Sequence, residues 1–123
     1  MNRSLLAVLT AGAASAVLVA GAASTPAPLD DATIVAIFDA ANTADIETGT
    51  LAVERGQSQE VRDYGAMLVR DHKAVRQMGR DLAKKLGVTP TPPADDPGAR
   101  AHAEALATLR KVPAAEFDQA FLA

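Results

Sequence analysis

The chain has 123 residues, room for one domain, with 12 Lys and Arg against 15 Asp and Glu. A net charge of -3 gives no electrostatic case for nucleic-acid binding. The absence of Cys excludes a disulfide scaffold, a thiol nucleophile and thiolate metal sites, and the 3 % aromatic content is poor for stacking platforms.

The first segment reads as an address. Arg3 precedes an uncharged run from Leu5 to Ala23, and Ala20-Gly21-Ala22 supplies a small-x-small cleavage site. This is the layout of a secretory signal peptide over residues 1–22. A membrane anchor is the competing reading, because spanning takes about 20 apolar residues. Composition argues against it: in that run Ala outnumbers Leu and Val combined. Val19-Ala20-Gly21 resembles the residues before a lipidated Cys, yet Ala22 follows, so no lipid anchor forms. The expectation is an exported protein, periplasmic or otherwise extracytoplasmic, with a leader over 23–29.

The seven Pro, at 26, 28, 90, 92, 93, 97 and 113, leave two long stretches for helices. The first is predicted over 31–55, with Asp30 as N-cap, a Leu29–Ile34 staple and Gly56 at its end. The second is predicted over 59–86, with Ser58 as N-cap, Glu60 in the first turn, and Lys84 and Lys85 in the last. Gly87-Val88 fits a Schellman ending. Helices of this size are about 37–42 Å long, and so short a turn makes them an antiparallel hairpin. A Pro-rich linker then leads to a third helix over 97–111, with Asp96 as N-cap and Pro97 at its first position. Pro113 ends it and begins a further helical stretch with Phe117, Ala120 and Phe121 on one face. That stretch reaches Ala123 with no capping residue and reads as cut mid-helix.

Helical-wheel geometry puts Ile34, Phe38, Ala41, Thr48 and Ala52 on one face of the first helix, with Asp45 in the stripe. On the second, Val61, Gly65, Leu68, Val75, Gly79, Ala83 and Leu86 share a line that includes His72. Asp45 and His72 lie at depths below the turn that differ by about 4–5 Å, which brings carboxylate and imidazole within reach of one another. Three readings follow, the plainest being that both side chains are simply solvated. A buried polar pair fixes the register of two Ala-rich helices. Alternatively, Asp45 and His72 hold a divalent metal or a redox centre in the bundle core. Gly65 and Gly79 indicate close helix contact. Met67 and Met78 point off the line, toward a partner helix. The mixed charges of the second helix describe a solvated face. His102, in step with Leu106 and Leu109, reads as a packed or partly exposed residue. No hydrolase signature and no Gly-rich phosphate loop is present.

Ala44-Asp45-Ile46-Glu47-Thr48-Gly49-Thr50-Leu51-Ala52 resembles the first-helix signature of an exported bacterial family, the domain-of-unknown-function 4142 group. Leu68-Val69-Arg70-Asp71-His72, Lys85-Leu86-Gly87-Val88 with Pro90, and Phe117-Asp118-Gln119-Ala120-Phe121 resemble its other motifs. The resemblance covers 30–123 and implies an all-α, ferritin-like antiparallel four-helix bundle, incomplete here. It implies a continuation past Ala123 that carries a second Asp-His pair. Asp45 stands where that family more often has Glu. The di-iron hallmark Glu-x-x-His is absent, since Val69 precedes His72 and Ala99 precedes His102 by three; iron oxidation does not carry over. The outer-membrane label often given to the group finds no support in β-strands of about 9–11 residues. The functional expectation is a non-enzymatic envelope bundle with a binding, structural or stress-related role, with a homo-oligomer or an envelope protein as partner. The alternative is a metal-binding or redox protein.

Overall fold

A computed structural model describes residues 29–123. The predicted signal peptide and all of the predicted leader but Leu29 lie outside the described residues. Four helices follow in order: α1 (Asp31–Arg55), α2 (Gln59–Leu86), α3 (Pro97–Lys111) and α4 (Phe117–Leu122), the last entered through a 3-10 turn at Ala114–Glu116. The described residues contain no strand, so the fold is all-helical, as expected of a helical bundle.

Local chemistry sets the helix ends where the sequence places them. Asp30 accepts from the Thr33 N–H at 2.7 Å, Ser58 from Val61 at 3.2 Å, and Asp96 from Ala99 at 2.8 Å. Gly87 sits at φ 68°, in the left-handed region that glycine enters without a Cβ clash. Its N–H donates to the Lys84 carbonyl and that of Val88 to Ala83, the paired bonds of a Schellman motif. The staple is weak, since Leu29 and Ile34 both stay exposed.

α1 and α2 form the expected hairpin. The linker returns across its open end, where the Thr91 N–H donates to the Ala32 carbonyl at 3.0 Å. α3 then runs in the direction of α1, and α4 turns back from the hairpin turn. The buried cluster of Ala52, Val61, Leu109 and Phe117, flanked by Leu51 and Phe121, gathers at that turn.

The face of α2 follows the wheel only in part: Val61, Gly65 and Ala83 are buried, while Val75 and Leu86 on the same line stay exposed. The face of α1 is rotated from its predicted line. Asn42 and Gly49 are buried there beside Ala52, while Ile34 and Phe38 are exposed. Gly49 and Gly65 explain the rotation. A Cβ on Gly49 would lie 2.7 Å from the Gly65 carbonyl oxygen, and one on Gly65 would lie 2.6 Å from that of Gly49. The backbones meet at this pair, so it sets how α1 turns toward α2.

Candidate functional site

The polar contacts between α1 and α2 form a ladder through the middle of the hairpin. Arg80 grips Asp39 with Nε at 2.5 Å and Nη2 at 2.9 Å. That hydrogen-bonded guanidinium holds the Asp39 carboxyl below its ordinary value. Arg76 donates to the Thr43 hydroxyl at 2.9 Å. Between the first rung and the turn, His72 meets two residues of α1.

Asp45 and His72, the sequence-predicted site residues, are brought together: His72 Nδ1 lies 3.2 Å from Asp45 Oδ2. The same Nδ1 lies 3.0 Å from Asn42 Oδ1. Asn42 directs its amide nitrogen to the Phe38 carbonyl at 2.8 Å, which leaves its oxygen as the acceptor. Facing two acceptors, Nδ1 carries the proton and donates. In the neutral ring, Nε2 is then the acceptor. Asp45 therefore orients the ring rather than sharing a ligand with Nδ1.

Burial differs from the expectation of a buried pair. The His72 side chain is 31 % exposed and that of Asp45 is 49 % exposed. The buried member is Asn42, which periodicity passed over because a polar residue well off the apolar line reads as surface. The signal that finds it is its spacing from Phe38 and Asp45, one helical turn to either side. Among the described residues, no three His, Asp or Glu side chains converge in a way that could hold a metal ion.

A second polar system ties the turn. The Arg55 guanidinium, at the end of α1, lies 5.0 Å over the Phe117 ring. Its Nη1 donates to the carbonyls of Leu109 and Arg110, each at 2.7 Å, and Nη2 donates to that of Val112. These carbonyls end α3, so Arg55 caps a helix distant in sequence. Asp118 does the converse: its two carboxylate oxygens accept from the N–H groups of Gln57 and Ser58 at 2.8 and 2.7 Å. Those bonds hold the Asp118 carboxyl below its ordinary value.

His102 is half-buried beside buried Leu106 and Leu109, as its helical phase suggests. Its Nε2 is buried without a hydrogen-bond partner among the described residues. It lies on the wall of a cavity of about 480 Å³ between α1 and the start of α3.

The family profile of the domain of unknown function DUF4142 matches residues 17–123. The chain belongs to the DUF4142 family. That match takes in every described residue, from the N-cap of α1 to the end of α4. Comparison with curated proteins and with solved structures returned no match. For a DUF4142 chain the family fixes no activity, so the site has to be read from its own geometry.

Proposed function

We propose that this DUF4142 chain is an exported, non-enzymatic helical bundle of the cell envelope that works by packing and binding. The address rests on Arg3, the Ala-rich run and the small-residue site at Ala20-Gly21-Ala22. The observation that carries the non-enzymatic role is the ladder. Asp39, Asn42, Thr43 and Asp45 of α1 are each bonded to a side chain of α2. These groups are spent on aligning two helices whose small residues otherwise permit sliding. A homo-oligomer or an envelope protein partner is supported by the open end, where Ile34, Phe38, Val75, Met78, Leu82 and Leu86 are exposed.

A double-mutant cycle of Asp45→Leu and His72→Leu, followed by urea denaturation with and without chelator, tests the tie. Partial exposure reduces the coupling to about 0.2–1 kcal/mol, far below that of a buried pair. Coupling unaffected by chelator supports the structural tie, and additive losses refute it. Intact mass of the secreted protein should show loss of the segment from Met1 to Ala22. Size-exclusion chromatography with light scattering should show association, and a clean monomer counts against the open end as an interface.

The protonated Nδ1 favours one second reading, a divalent metal on His72. Its neutral ring offers Nε2 as the ligand, with Asp45 behind it as orienting carboxylate. Coupling that disappears in chelator and returns with one metal would establish it.

A further inference from the structure

The cavity between α1 and α3 has a chemistry that the ladder does not use. Its volume of about 480 Å³ is that of a small-molecule site. Ile37, Ala44 and Ala99 give it an apolar wall, Asp45, Glu47 and Asp96 line it with carboxylates, and no Lys or Arg is among its lining residues. Asp96 is engaged as the N-cap of α3, and Asp45 is bonded through Oδ2 to His72. Glu47 makes no hydrogen bond or ion pair among the described residues. His102 completes the wall, with its buried Nε2 unpartnered.

We propose that this cavity binds a small amphipathic organic cation, an alkylammonium whose body lies on the apolar wall. An ammonium donates three hydrogen bonds and accepts none, so it suits a lining of acceptors. Glu47 supplies the uncommitted charge, and Asp45 has a second oxygen to offer. An anion meets three carboxylates with no compensating cation. The N-terminus of α3 would favour an anion, but the Asp96 carboxylate already occupies it. The apolar wall selects against a bare metal ion, which has no use for it. The proposal holds whether or not the chain associates through its open end.

The test is NMR titration of the full chain with hexylammonium, and separately with hexanoate and with magnesium chloride. Hexylammonium should bind saturably, shifting backbone signals of 37–47 and 96–102 and the His102 ring. Glu47→Gln, on an exposed carboxylate, should weaken binding about fivefold or more, in line with loss of a charge-assisted bond. Ala44→Leu fills the cavity and should weaken it at least about tenfold. Circular dichroism checks that each variant folds, and Glu47→Gln decides the matter if Ala44→Leu does not. The proposal is overturned by an absence of saturable binding, by hexanoate binding as tightly, by magnesium alone reproducing the shifts, or by Glu47→Gln binding like the parent.

Discussion

The two ends of the α1–α2 hairpin are built on different physics. At the turn end, a phenylalanine from α4 is fully buried, and charged side chains from distant segments cap two helix termini. At the open end, Ile34, Phe38, Val75, Met78, Leu82 and Leu86 have similar apolar character but stay exposed. Composition does not separate them. The turn end is covered by α3 and α4 as they converge on it, while only the non-helical linker crosses the open end. An apolar side chain stabilises in proportion to the area it loses to neighbours, so similar residues contribute unequally at the two ends.

The largest expected difference compares two phenylalanines. Phe117→Ala, at 0 % exposure, should cost about 3–5 kcal/mol in urea denaturation. Phe38→Ala, at 41 % exposure, should cost less than half as much. Equal losses would show that the open end is covered in solution. Next, Arg55→Lys removes a planar fork that bonds three carbonyls and stacks on Phe117. It should cost about 1.5–3 kcal/mol, with hydrogen exchange accelerated at the end of α3. Little loss would mean that the C-terminus of α3 is satisfied without the guanidinium.

The helical glycines give a smaller contrast. Gly65→Ala drives a Cβ into the Gly49 carbonyl, which is backbone and yields only if the helices part. Overpacking costs about 1–3 kcal/mol, against about 1 kcal/mol regained from helix propensity, so a net loss is expected. A Cβ on Gly79 would meet the Phe38 ring at 2.6 Å, a half-exposed side chain that can rotate away. Gly79→Ala should therefore be neutral or stabilising by up to about 1 kcal/mol. Thermal melts should fall for Gly65→Ala and stay level or rise for Gly79→Ala.

The subtlest test uses pH. The Asp118 carboxyl is lowered from its ordinary 3.8, first by the Gln57 N–H bond. A depressed folded value means stability that is full above 3.8 and is lost as pH falls through the lower folded value. Between about pH 5 and about pH 2, Asp118→Asn should lose less stability than the parent. Parallel curves would mean that Asp118 does not hold α4 to the start of α2.

Much of this was legible beforehand because it is local. Asp30, Ser58 and Asp96 cap helices through bonds to N–H groups three residues away, a distance that any chain segment carries with it. Asp45 and His72 were legible as a pair because a short turn and a fixed rise per residue fix their relative height. Their exposure was not, because it depends on what lies beyond the hairpin. Asn42 was missed because its partner is 30 residues away and its own helix hides it among surface residues.

The helices, their caps, the hairpin and the meeting of Asp45 with His72 all follow from spacing along one or two rigid rods, and so are written in the order of residues. The rotation of α1 comes instead from packing, through backbone contact at Gly49 and Gly65. Packing alone joined Arg55 to the carbonyls at the end of α3 and Asp118 to the start of α2. Those bonds link groups far apart along the chain, and no periodicity fixes which termini meet when helices pack. The same convergence of α3 and α4 on the turn leaves one end of the hairpin covered and the other exposed.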